Sequence, residues 1–222
     1  MQAVIFDLFE TLVTEWGRPK YSLSKMASDL GVDHKIFRRA KDALNLDHFL
    51  GKFPNTIQYI EAALKIMNVA RDKGQLAEIA QKREECKRKC FDVIEPKILE
   101  MLSALKEKGC KLGLISNCSP EEIGGFYNSD IFEFFDAIVM SCDVGLVKPD
   151  VKIYQHCLSQ LNEDPSTSLF IGDGGSNELA GAKEAGMTPL KAAWFIKHFA
   201  TLEEMDKTHP ILLEPHELLT CF

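Results

Sequence analysis

Short, wholly apolar runs recur along this chain, and each gives way at once to polar residues. Ala3-Val4-Ile5-Phe6 is followed by Asp7, and Leu112-Gly113-Leu114-Ile115 by Ser116 and Asn117. Ala137-Ile138-Val139-Met140 is followed by Ser141, with Asp143 close behind, and Leu169-Phe170-Ile171 by Gly172 and Asp173. A short run with no polar alternation fits a strand buried on both faces, as in a parallel sheet. Helix-period stretches separate the runs. Pro96 opens one in which Ile98, Met101, Leu102 and Leu105 share a side and Gly109 ends it. Others are read over Pro120 to Tyr127, around Tyr154, Cys157, Leu158 and Leu161, and from Glu178 to Ala185, with Pro189 to Trp194 as the last strand. Such alternation predicts an α/β fold: a doubly wound, Rossmann-like parallel sheet with helices on both faces.

Residues 18–92 contain no comparable run and are rich in Lys, Glu, Ala and Leu. They read as several helices inserted after the first strand. The expected organisation is a core of residues 1–15 and 93–222 and a helical cap of residues 16–92, lying over the strand ends like a lid. Trp16, Tyr21, Phe49, Phe53 and Tyr59 are expected to pack inside that cap, with 49–53 as a loop reaching towards the site. In Lys82 to Lys89, Glu84 precedes Arg88 by four residues and Glu85 precedes Lys89 by four, a spacing that predicts a solvated helix face.

Charge and cysteine content narrow the function. The 26 basic and 33 acidic side chains leave a net charge of −7, which disfavours nucleic-acid binding because that depends on neutralising phosphates. A local cationic pocket for a small anion remains compatible with it. The longest apolar stretch, Ala192 to Ile196, is far shorter than the ~20 residues a membrane span needs. Residues 1–17 hold three acids and no base, so no secretory signal is expected. Seven scattered cysteines without a CxxC pair read as reduced thiols of a cytoplasmic protein. The oligomeric state is left open.

In open parallel sheets ligands bind beyond the carboxyl ends of the strands. That rule gathers Asp7, Ser116 and Asp173 without appeal to any family. Two neighbouring carboxylates disfavour each other's ionisation, and a hard cation such as Mg²⁺ relieves the repulsion. Taken singly, each residue also has an ordinary structural use. Asp7 can cap a helix, Ser116 can cap or turn, Asp173 sits in a glycine-rich turn, and Lys148 before Pro149 can be a surface lysine.

Taken in order they are specific. Asp7 in Asp-x-x-x-Thr, Ser116 after the second strand, Lys148 before a proline, and Gly172-Asp173 followed by Asn177-Glu178 resemble the four-part pattern of the haloacid dehalogenase-like hydrolases. Lys148 follows Ser116 by 32 residues, and Asp173 follows Lys148 by 25. The chain is most similar to the phosphatase-rich branch with a helical cap between the first two motifs. The resemblance implies a Mg²⁺-dependent phosphohydrolase acting on a small phosphorylated metabolite through an aspartyl-phosphate. Asp7 would be the nucleophile. Ser116, Asn117 and Lys148 would hold the phosphoryl group, and Asp7, the backbone carbonyl of Phe9 and Asp173 would bind the metal. Glu178 would act on the metal through water.

Residue 9 departs from that pattern. The family's phosphatases place there an Asp that protonates the leaving group and then activates water, a contribution of ~10²–10⁴-fold. Phe9 can do neither. The chain is then a phosphatase restricted to good leaving groups, one with a substitute acid such as Glu10, a non-catalytic phosphate-ligand binder, or a 2-haloacid dehalogenase. The last would need an arginine to grip its substrate, for which Arg18, Arg38 and Arg39 are candidates.

Overall fold

The structure is a computed structural model and describes residues 3–18, 20–198 and 205–222. Residues 1–2 of the expected first core segment and 199–204 of the second therefore lie outside the described residues.

Among the described residues six strands form one parallel sheet: β1 (Ala3–Phe6), β2 (Lys111–Ser116), β3 (Ala137–Met140), β4 (Leu169–Gly172), β5 (Thr188–Ala192) and β6 (Ile211–Leu212). Their order across the sheet is β3-β2-β1-β4-β5-β6. Every pairing is parallel, with Ala3 opposite Lys111 on one side of β1 and Val4 opposite Leu169 on the other. The doubly wound expectation holds. The last expected strand differs most: β5 ends at Ala192 and the two-residue β6 forms the outer edge, so Trp194 is not in the sheet.

Side chains alternate across the strands and fill two separate cores. Val4 and Phe6 of β1 face one way, packing with Ile98, Leu102 and Leu105 of α6 (Pro96–Glu107). Ala3 and Ile5 face the other, towards Tyr154, Leu158 and Leu161 of α9 (Val151–Leu161) and Leu179 of α10 (Glu178–Glu184). With both faces covered, the all-apolar strands lose no polar contacts.

Among the described residues five α-helices intervene between β1 and α6: α1 (Leu23–Leu30), α2 (His34–Asp42), α3 (Asn45–Phe49), α4 (Thr56–Ile66) and α5 (Lys73–Arg88). Four of them begin at a side chain that accepts a backbone N–H of the first turn: Ser22, Asp33, Asn55 and Asp72. Such caps are each worth about 1 kcal/mol. Met26, Leu30, Phe37, Ile60, Leu64, Leu76 and Ile79 form this layer's own apolar cluster. Tyr59 is buried there as expected, whereas Trp16 is 45% exposed with Lys20 over its ring.

Two short helices complete the strand-end region: α7 (Pro120–Ile123) and α8 (Ser141–Val144). The helix anticipated from Pro120 to Tyr127 stops at Ile123, where Gly124 and Gly125 follow. Glycine there forfeits helix propensity of up to about 1 kcal/mol per residue. Among the described residues no helix is long and apolar enough to cross a membrane.

Candidate active site

β1 is central, and the strand order runs outward from it in both directions. The crevice beyond its carboxyl end is therefore the topological switch point of the sheet. Asp7 sits at that point, 6% exposed, and its backbone N–H donates to the Ile171 carbonyl at 2.8 Å. Asp7 thus extends the β1–β4 ladder by one bond, which fixes where its carboxylate points. Thr11, fully buried in the same turn, donates its hydroxyl to Asp7 Oδ2 at 3.2 Å.

Lys148 arrives from the loop before α9. Its ammonium donates to Asp7 Oδ1 at 2.5 Å and also to Glu178 Oε2. All three side chains are almost wholly withdrawn from water. Burial alone would pull the ammonium down, but the charges of Asp7 and Glu178 hold it above its ordinary value. Burial, with Asp7 nearby, pushes Glu178 up to about 8. Asp7 is raised too, by burial against the opposing pull of Lys148.

Asn117 is bound to the same lysine. Its Nδ2 donates to the Lys148 carbonyl at 2.9 Å, and its Oδ1 accepts the Lys148 N–H at 2.8 Å. This two-point clamp engages the carboxamide anticipated for substrate, and gives Asn117 the work of positioning Lys148. Ser116 is fully buried at the end of β2, and its hydroxyl has no hydrogen-bond partner. A buried orphan hydroxyl costs roughly 1–3 kcal/mol, so its retention points to a partner brought by a ligand.

Carboxylate oxygens of Asp7, Asp173 and Glu178 lie within 4.8 Å of one another. At that spacing two ionised carboxylates repel by about 3 kcal/mol at an effective dielectric of ~20. With all three ionised, Lys148 offsets one charge of the three. The hard oxygen donors and the remaining negative charge suit a divalent cation such as Mg²⁺. The loop that delivers Asp173 and Glu178 is tightly built. Asp173 Oδ1 accepts the Gly175 N–H at 2.8 Å, and Glu178 Oε1 the Gly174 N–H at 3.1 Å. A Cβ on Gly172 would lie 2.1 Å from Glu178 Oε1, so only glycine admits that carboxylate.

The turn after Asp7 is closed by Glu10 N–H to the Val13 carbonyl at 2.6 Å. Phe9 is half-buried there, its ring 6.2 Å from that of Phe91 in an edge-on contact. Glu10 takes a left-handed φ of +59°, and its carboxylate accepts the Thr14 hydroxyl at 2.6 Å and the Glu15 N–H at 3.0 Å. Both oxygens of the alternative acid are thus engaged in holding the turn. Arg18, one candidate for gripping a haloacid, donates to the carbonyls of Thr14, Lys89 and Val93, while Arg38 and Arg39 are exposed on α2.

The helical layer meets the sheet through charge. Arg83 and Lys87 of α5, expected on a solvated face, instead reach the acids of α7. Arg83 Nε donates to Glu121 at 3.0 Å, and Lys87 Nζ lies 2.9 Å from Glu122 and 2.7 Å from Glu15. The supporting pairs inferred from spacing are replaced as well. Glu84 accepts the Thr56 hydroxyl at 2.6 Å, and Glu85 accepts from Gln81 at 2.7 Å. His48 of α3, stacked on Tyr59 at 3.5 Å, donates to Glu121 at 3.0 Å. Burial would raise Glu121, but His48 and Arg83 hold it down at about 2. None of these interface residues carried a sequence motif, since a charged helix looks the same whether it faces water or an opposing acidic turn.

A switch-point aspartate, a lysine across from it and a glycine-bounded acidic loop on one parallel sheet define a hydrolase of known architecture. The chain belongs to the haloacid dehalogenase-like hydrolases, whose family model matches residues 1–186. It is 30% identical over 123 residues to the pyrophosphatase PpaX of Bacillus anthracis, covering 52% of this chain and 56% of the relative. The chain spans about half the length of the curated relatives it matches. Among solved structures it is similar to a HAD phosphatase from Thermococcus onnurineus, with a TM-score of 0.65 and 19% identity over 100% of this chain and 97% of the other. It is similar also to a 2-haloacid dehalogenase from Pseudomonas syringae, with a TM-score of 0.68 and 19% identity over 99% and 97%. The two structural likenesses share one fold, and it is the site that must separate their chemistries.

Proposed function

We propose that this hydrolase is a Mg²⁺-dependent phosphohydrolase of small phosphorylated metabolites, working through a phosphoryl group carried on Asp7. The observation that carries the reading is the buried, unpartnered Ser116 hydroxyl at the strand end beside β1. Asp7, Asp173 and the Phe9 carbonyl would hold Mg²⁺, with Glu178 acting on it through water. Bound there, the ion supplies positive charge that lets an anionic phosphate approach an anionic carboxylate.

Asp7 attacks phosphorus in line. A carboxylate O–P bond forms as the bond to the leaving oxygen breaks. Ser116 donates to one phosphoryl oxygen, and Lys148, held by Asn117, balances the charge that develops on another. Water then attacks phosphorus, releases inorganic phosphate and restores the carboxylate. No acid stands at residue 9, so the leaving oxygen departs without a proton from that position. The favoured substrates are therefore acyl phosphates and phosphoanhydrides, whose leaving groups are stable anions.

Haloacid dehalogenation is the lesser reading, because Asp173 and Glu178 add negative charge beside Asp7 and Arg18 is already bound by three carbonyls. We read residues 16–92 as a cap over the core of residues 1–15 and 93–222. Seven unpaired thiols fit a cytoplasmic setting. The test is phosphate release from an acyl phosphate and an aryl phosphate, with Mg²⁺ or chelator. Turnover that needs Mg²⁺ and vanishes in Asp7→Asn supports the reading. Phosphate and Mg²⁺ binding without turnover, or halide release that persists in chelator, overturns it.

A further inference from the structure

Two thiols meet where β2 and β3 end. Ser116 and Met140 are register partners, and Cys118 and Cys142 lie two residues beyond each. Their Sγ atoms are 4.0 Å apart, and both are free. The pair is unequal. Cys118 is fully buried, with its sulfur 3.7 Å from Met140 Sδ, whereas Cys142 is half-buried on the first turn of α8. The hydrogen bond to Cys142 and burial both push the Cys118 thiol up, so it rests protonated.

The backbone fixes this meeting. The Cys118 N–H donates to Ser141 Oγ at 3.0 Å, and Ser141 Oγ donates to the Cys118 carbonyl at 3.1 Å. Cys118 is thereby pinned to the residue just before Cys142. The same three-residue stretch carries Ser116 and Asn117, the orphan hydroxyl and the clamp on Lys148. On the far side lies the helical layer. A Cβ on Gly51 would be 2.0 Å from the Cys142 carbonyl, so the 49–53 segment rests directly on this residue.

We propose that Cys118 and Cys142 are an oxidisable pair, closed to a disulfide by hydrogen peroxide, and that closure lowers turnover at Asp7. The effect on turnover rests on the phosphohydrolase reading, whereas the sulfur chemistry does not. In the first step the more accessible Cys142 sulfur attacks a peroxide oxygen. An S–O bond forms, the O–O bond breaks, and the departing hydroxide leaves as water with the Cys142 proton. In the second step Cys118 sulfur attacks the sulfenic sulfur of Cys142. The S–S bond forms, the S–O bond breaks, and a second water leaves with the Cys118 proton. Two thiols are oxidised, and one peroxide is reduced to two waters.

A disulfide needs its sulfurs about 2 Å apart, so this pair must close by roughly half its present gap. Cys118 is packed on all sides, and movement on the Cys142 side pulls on the Ser116–Cys118 stretch through Ser141. Displacements of this order at a phosphoryl-binding segment cost about tenfold or more in rate.

The experiment treats the whole protein with hydrogen peroxide, alkylates remaining thiols, and digests after glutamates, which separates the two cysteines at Glu121, Glu122 and Glu133. The expected product is a peptide bearing Cys118 cross-linked to one bearing Cys142, released by dithiothreitol and absent in Cys142→Ser. Oxidation of Cys142 alone to sulfinic acid with Cys118 still alkylated overturns the pairing, as does cross-linking of Cys118 to any other cysteine. Turnover is read on the same samples. The expected result is a loss of about tenfold on oxidation, reversed by dithiothreitol and absent in Cys142→Ser. A cross-link with unchanged turnover overturns the regulatory half. If the reduced protein hydrolyses nothing, the phosphohydrolase reading fails while the cross-link still decides the sulfur chemistry.

Discussion

Lys148 Nζ lies 2.5 Å from Asp7 Oδ1, although 141 residues separate the two in sequence. The contact exists because β1 sits between the strand ends from which the other site residues project. It also makes the lysine the sole cation bonded to Asp7 and Glu178 among the described residues.

Removing that cation leaves two buried carboxylates facing each other. Lys148→Ala is expected to destabilise the metal-free protein by about 3–5 kcal/mol, as for other broken buried ion pairs. Mg²⁺ should recover part of the loss, since an ion that binds only the folded state stabilises it. Thermal unfolding in chelator and in excess Mg²⁺ measures both. Equal losses in the two conditions would argue that no cation binds among these carboxylates.

Ser116→Ala separates stability from binding. The hydroxyl has no partner to lose and its burial is costly, so the variant is expected to be no less stable than the parent and up to about 1–3 kcal/mol more stable. A hydrogen bond to a charged phosphate is worth about 1.5–3 kcal/mol, so phosphate affinity should fall about tenfold or more. Chemical denaturation and calorimetric titration of inorganic phosphate with Mg²⁺ check the pair. A large stability loss with unchanged phosphate affinity would contradict the assignment.

Phe9→Asp restores an acid at the position that lacks one. The expected gain is about 10²-fold in turnover of a poorly activated alkyl phosphate, and much less for an acyl phosphate whose leaving group needs no proton. The ratio of the two rates is the measurement, because it is insensitive to how much of the variant folds. An unchanged ratio would show that protonation of the leaving group is not what residue 9 withholds.

Glu121 sets a pH dependence for the contact between helices and sheet. Its ordinary value is 4.5, and His48 with Arg83 holds it at about 2 in the folded protein. The unfolded chain therefore binds the proton more tightly. The stabilisation is complete above about pH 4.5 and is lost as the pH falls through 2, at most about 3 kcal/mol. Urea denaturation at pH 6 and pH 3 should show a drop that Glu121→Gln flattens. A variant with the same acid sensitivity as the parent would assign the effect elsewhere.

The strands were legible because burial on both faces leaves a run with no polar residue, as in Ala3–Phe6 and Ala137–Met140. Asp7, Ser116 and Asp173 were legible because each lies at or just past the carboxyl end of such a run, whereas Lys148, in the loop before α9, stood out only through the ordered resemblance. β6 was not, since two residues hold no periodicity, and neither was α8, a single turn formed after β3. Arg83, Lys87 and His48 were hidden for another reason. Their partners Glu121 and Glu122 lie 35–73 positions away, and local spacing says nothing of a contact that only the docking of two layers creates. The Cys118–Cys142 contact depends likewise on the register of β2 against β3.

The place of β1 has a consequence for synthesis of the chain. It is made before the strands it pairs with, which begin at residues 111 and 169. At ~10 residues per second a ribosome needs on the order of ten seconds to deliver the first of them. Through that interval a sticky strand hangs unpaired, while the helices that follow it can already gather around Phe37 and Ile60. The nascent protein thus exposes, for that interval, the apolar segment that later delivers Asp7 to the crevice.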